Sequence, residues 1–164
     1  MDIINMIINI TGGTKELREL SESLINYCAN MMFSKKLNDS IVLDLEFTKK
    51  LYKEDGILGE LDFDDSNHRP REFTMTVDCS VSKRRIMETI AHEMVHVKQY
   101  AKGELVDLER CGSTTWHKQV VDSKTNYWDL PWEVEAHGKE MGLFIRWAEQ
   151  HNLGKLTWTQ EKYA

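Results

Sequence analysis

The stretch from Ser82 to Gly103 constrains the fold of this chain more than any other part. The Ser82 hydroxyl can cap a helix, and Gly103 supplies the residue that ends one. Midway, His92 and His96 stand four apart with Glu93 between them, and the neighbours Ile90, Ala91, Met94 and Val95 are apolar. The spacing predicts a helix over 82–102 that is buried, so other elements must cover it and its histidines must find partners.

Those covering elements are legible as periods. Apolar and polar residues alternate over the first ten residues, from Ile3 and Ile4 to Ile10, as a strand requires. After Gly12 and Gly13, Thr14 is an N-cap for a helix to about Phe33, with Leu17, Leu20, Leu24, Cys28 and Met31 on one face. Ile41, Leu43, Leu45 and Phe47 mark a second strand, 57–63 a weaker third, and Phe73, Met75, Val77 and Cys79 the clearest of all. Residues 104–130 show no sustained period and read as a long loop, with a short strand at 114–121. Pro131 opens a last long helix whose apolar stripe is Val134, Met141, Ile145 and Ala148.

This order predicts an α+β fold in a single domain, 1–164. A small mixed sheet of about four strands packs on an N-terminal helix, the Ser82 helix and a C-terminal helix. The first two strands can pair in parallel through a crossover helix, and the later ones are close enough in sequence to meander.

Composition narrows the function. The 164 residues are 41% hydrophobic and 29% charged, with a net charge of −6, so a nucleic-acid partner is not expected. The run Lys83-Arg84-Arg85 reads as a solvated first helical turn. The three cysteines, Cys28, Cys79 and Cys111, are spaced for neither a disulfide framework nor a zinc ribbon, which favours a reducing compartment. With no signal-peptide pattern and no membrane-spanning run, the expected location is the cytoplasm. The acidic stretch from Asp62 to Asn67 lacks the glycine and terminal glutamate of a calcium loop and reads as a solvated turn. No pattern speaks to oligomeric state.

The chemistry lies in the Ser82 helix. Residues i and i+4 share a face about 6 Å apart along the axis, so the imidazoles of His92 and His96 can converge on one zinc ion. Glu93, one residue round, can lean over the open side and take a proton from water. A catalytic zinc needs a third protein ligand, for which His117, Glu133, Glu135 and His137 are candidates.

The pairing of His92-Glu93-Met94-Val95-His96 with a downstream helix bearing Glu133-Val134-Glu135-Ala136-His137 resembles the zincin metallopeptidases. More narrowly, it resembles the gluzincin type and the small SprT-like and ImmA/IrrE-like enzymes of bacteria and phages. That resemblance implies Glu133 as the third ligand, with Glu135 as runner-up. His137 then takes the supporting place that Asp or Asn usually holds. The resemblance covers roughly residues 73–145. There is neither a further G-x-x-H after His96 nor a zinc ribbon.

The expected activity is zinc-dependent hydrolysis, most simply an endopeptidase acting on protein or peptide, with Glu93 as the catalytic base. Tyr127, His117 and His137 are candidates to stabilise the oxyanion. Trp116, Trp128 and Trp132 either anchor the loop or wall a cleft, and an exposed sheet edge beside the cleft can take an extended peptide as an added strand. Two alternatives stand beside this reading: a zinc-stabilised binding module without turnover, and a zinc amidase acting on a non-protein amide such as a cell-wall link.

Overall fold

The computed structural model describes residues 5–65, 68–108 and 112–160. Ile3 and Ile4 of the first alternation, the Ser66-Asn67 end of the acidic stretch, and Cys111 lie outside the described residues. Strand β1 (Ile7–Thr11) leads through Gly12 and Gly13, both at positive φ, into α1 (Lys15–Met32). The Thr14 side chain caps α1 by accepting from the Leu17 N–H. The short α2 (Lys35–Asp39), β2 (Val42–Thr48) and the short α3 (Leu51–Asp55) follow. Then come β3 (Gly59–Phe63), β4 (Glu72–Asp78) and the central helix α4 (Lys83–Ala101), capped by Ser82 as its sequence demands.

The fold is α+β, built on a four-stranded mixed sheet of order β1-β2-β4-β3. The strand β2 is parallel to both β1 and β4, while β3 runs antiparallel to β4 along the edge. The expected meander therefore holds for β3 and β4 alone, because β4 rather than β3 lies beside β2. The two most apolar alternations, Leu43/Leu45 and Phe73/Met75/Val77, take the middle of the sheet, in register Leu43 to Phe73 and Leu45 to Met75. The weaker β3, with Gly59, Glu60 and Asp62, is left at the edge, where strands of low β-propensity cost least.

One sheet face packs with α1 and α4 into the core. Leu24, Ile25, Cys28, Met87, Ile90 and Met94 are all fully buried there. Covered by the sheet, α1 and the later helix α5 (Pro131–Gln150), α4 is enclosed along most of its length, and His92, Glu93 and His96 are buried with it.

Three further expectations are corrected. The stretch 104–130 is no bare loop: it folds into a second, antiparallel sheet of β5 (Leu105–Leu108), β6 (Ser113–Trp116) and β7 (Gln119–Val121). Strands of three or four residues are too short to leave a period, and the tight turn between β6 and β7 uses His117 and Lys118 at positive φ, without glycine. On α5, Val134, Met141 and Ile145 face outward, 56%, 53% and 39% exposed. The core side is instead Ala136, Leu143, Phe144, Trp147 and Ala148, because the larger buried area of Phe144 and Trp147 decides which face turns in.

The third correction concerns the basic run. Arg84 is only 7% exposed; it pairs with Glu88 at 2.7 Å and donates to the Thr159 carbonyl at 2.6 Å. It thereby ties the terminal helix α6 (Thr157–Gln160) to α4. Lys83 pairs with Glu16 and sits over the Trp158 ring, and only Arg85 is solvated. Among the described residues no helix is long and apolar enough to cross a membrane. Replacing Arg84 by Ala leaves the half-buried Glu88 carboxylate and a carbonyl unpaired, and is expected to cost about 2 kcal/mol in a urea titration; Arg85→Ala should stay within about 0.5 kcal/mol.

Candidate metal centre

His92 and His96 project from one face of α4, and Pro131 starts α5 so that Glu133, in its first turn, points at them. The His92 and His96 Nε2 atoms are 3.1 Å apart. Glu133 Oε2 lies 3.2 Å from His92 Nε2, and its Oε1 lies 3.4 Å from His96 Nε2. Ligands at about 2.0–2.1 Å from a tetrahedral zinc ion stand about 3.3–3.4 Å from one another. The three side chains together can hold a metal ion.

The far side of each imidazole explains why a cation fits. His92 Nδ1 faces Glu140 Oε2 at 2.6 Å, so its proton belongs on Nδ1. His96 Nδ1 faces Gln99 Oε1 at 2.7 Å, while the Gln99 amide nitrogen donates to the Trp132 carbonyl and to Glu135. That arrangement fixes the amide orientation and again puts the proton on Nδ1. Two bare Nε2 lone pairs and a carboxylate then confront one another, and either a proton or a metal ion must sit among them. Burial opposes charge on His92, but Glu133 and Glu140 outweigh it and raise the imidazole to about 10. Burial likewise works to raise Glu133, yet its bonds with His92 and His96 hold it well below the usual carboxylate range.

Glu93 lies beside this cluster and, among the described residues, is not one of the side chains spaced to hold an ion. It is 5% exposed, and burial pushes its carboxyl upward against the pull of His96 and His92. Its space comes from Gly59 on β3: a Cβ there would stand 3.0 Å from Glu93 Oε1 and 2.7 Å from Thr89 Cγ2. Tyr127, in a single 3₁₀ turn before α5, donates its hydroxyl to Glu133 Oε2 at 2.8 Å and lies 3.1 Å from His137 Nε2. Burial and the Glu133 carboxylate raise this phenol well above its ordinary value, so it keeps its proton.

Glu133 is thus brought to both histidines of α4; Glu135 and His117 are placed elsewhere, while His137 stays beside the centre and forms, with His92 and Glu140, a second group spaced to hold an ion. Glu135, one position round the helix, turns away and takes a 2.5 Å ion pair from Lys98, which also holds Glu104 at 3.0 Å. His117 sits at the tip of the second sheet against Trp116, which in turn meets Trp132. His137 stacks between Trp128 and His92 and reaches Glu140 at 3.5 Å. The orienting carboxylate of His92 is therefore Glu140, which the sequence reading missed. The signal was present: seven residues past Glu133, Glu140 returns to nearly the same helix face.

A cleft of about 630 Å³ opens from His92, Glu93, His137 and Glu140 toward Arg85 and Tyr52 near the start of α4. A second cavity, of about 570 Å³, lies between the end of α5 and α6 and is lined by Phe144, Ile145 and Thr159. The chain matches no protein-family model, no curated protein and no solved structure in the comparisons made. The geometry alone carries the functional reading.

Glu140→Gln should weaken zinc binding by about 10–100-fold in a chelator competition while the fold persists. Because a proton on His92 with a pKa of about 10 competes for the same atoms, affinity should rise steadily across the neutral range as pH is raised. A flat profile would show that no proton competes with the ion at these atoms.

Proposed function

We propose that the chain is a zinc-dependent hydrolase, an endopeptidase of gluzincin type acting in the cytoplasm on protein or peptide. The observation that carries this is the convergence of His92, His96 and Glu133 to mutual spacings of 3.1–3.4 Å, with the buried Glu93 beside them. His92, His96 and Glu133 would hold the ion. Bound there, zinc supplies Lewis acidity toward a water and toward the scissile carbonyl.

The remaining work falls to side chains of the protein. Glu93 accepts the proton of the attacking water and returns it to the leaving amine; a carboxyl raised by burial is suited to holding that proton in between. Tyr127, kept as a phenol within reach of Glu133, can turn its O–H toward charge that develops on the carbonyl oxygen. Trp128 and Tyr52 give the cleft an aromatic wall.

The strand β3 supports a peptide substrate over other amides. The Asp78 N–H donates to the Leu58 carbonyl, so by antiparallel alternation Gly59, Leu61 and Phe63 turn their own N–H and C=O away from β4. Without a backbone partner among the described residues, these groups form an edge that begins beside Glu93, where an extended peptide can pair.

Glu93→Gln should lower kcat by about a hundredfold to ten-thousandfold with zinc still bound at one equivalent. Equal turnover by the variant and the parent on unfolded protein would end the hydrolase reading. Gly59→Val, which drives a side chain into Glu93 and Thr89, should lower kcat as well while leaving zinc content unchanged.

A further inference from the structure

The cations at the start of α4 are not equivalent. Lys83 is committed to Glu16 at 3.0 Å and to the Trp158 ring. Arg84 is committed to Glu88, the Thr159 carbonyl and the Phe144 ring. Arg85 has no ion pair among the described residues, is exposed, and lines the cleft that contains His92 and Glu93. The neighbouring acid Glu88 is occupied by Arg84. Arg85 is thus an uncommitted cation lining a cleft in which Glu88 is taken by Arg84 and Glu140 by His92 and His137.

Its position relative to the histidines follows from the helix. Arg85 precedes His92 by seven residues, which returns it to within about 20° of the same face and about 10 Å away along the axis. Three extended residues span about 10 Å. The direction of a bound chain follows from β3. Gly59 stands by Thr89 and Glu93, while Phe63 meets the Tyr100 ring at 4.8 Å, so β3 runs alongside α4 in the same sense. A peptide added antiparallel to β3, the better pairing, runs from the Tyr100 end toward Arg85. The residues beyond its scissile bond, on the C-terminal side, then pass Leu58, Ile57 and Tyr52 to reach the guanidinium. The opposite direction would carry the substrate's N-terminal ammonium side toward a like charge.

We infer that Arg85 holds a carboxylate of the substrate about three residues beyond the scissile bond on its C-terminal side. The carboxylate is either the chain terminus or an Asp or Glu side chain. Arg85 is here a specificity residue, and the inference rests on the hydrolase reading for the meaning of the scissile bond. Arginine suits the task because its planar fork can grip both oxygens.

The test uses zinc-loaded full-length protein and internally quenched peptides of one sequence. One pair ends three residues past the cleaved bond as free acid or carboxamide; a longer carboxamide pair carries Glu or Gln at that position. The parent should favour an acid in at least one pair by about tenfold in kcat/KM, mostly through KM, and Arg85→Gln should erase the preference. Arg85→Glu should instead favour the longer peptide with Lys at that position. The pair that responds tells a chain terminus from a side chain. Equal turnover within both pairs by the parent, or a preference that survives Arg85→Gln, overturns the assignment.

A binding arm separates this from the hydrolase reading. Calorimetry on zinc-loaded Glu93→Gln compares acid with amide, with and without Arg85→Gln. Binding that prefers acid through Arg85, with no hydrolysis by the parent, keeps the carboxylate site and sinks the peptidase. Hydrolysis without either preference does the reverse, and absence of both binding and hydrolysis sinks both.

Discussion

The contact between α4 and α5 is the constraint from which the rest of the site follows. Neither helix holds the site alone: α4 contributes the paired imidazoles, and α5 contributes Glu133 and Glu140, which grip His92 from two sides. Apolar packing through Ala136, Phe144 and Trp147 brings the helices together without fixing their register. Register comes from the polar end of the contact. There Lys98 clamps Glu135, and Gln99 bonds Trp132, Glu135 and His96 at once. Such a network is costly if any member is left unsatisfied, which makes it specific for one alignment of the two helices.

Electrostatically the centre is a balance of like charges. Glu93 and Glu133 bear on both histidines and Glu140 on His92, and the cluster is tolerable only with positive charge in the middle. Glu93 differs from Glu133 in being raised by burial, while Glu133 is lowered by direct bonds to the histidines. Two carboxylates separated in this way can divide the labour, one binding and one moving protons.

Much of this was legible in the sequence, for reasons that differ by element. Long elements with one buried face, α1 and α4, repeat their apolar residues often enough to be read, and their caps Thr14 and Ser82 stand where the structure uses them. The short strands β5 to β7 have no such repetition. On α5 two apolar faces compete, and only the three-dimensional packing of Phe144 and Trp147 chooses between them. At the site, the spacing of His92 and His96 is local and readable, whereas the roles of Glu140 and Gly59 depend on which elements meet. Glu140 acts across 48 residues, and Gly59 matters because a helix side chain occupies the space its own would need.

An edge strand that accepts one extended chain can accept another copy of itself, and β3 is the last strand of its sheet. Its sequence bears on that hazard. Were two copies to pair antiparallel about Leu61, Glu60 of each would fall opposite Asp62 of the other, stacking like charges at every exposed position of the ribbon. The acids that weaken β3 as a strand therefore also guard the protein against edge-to-edge pairing with its own copy.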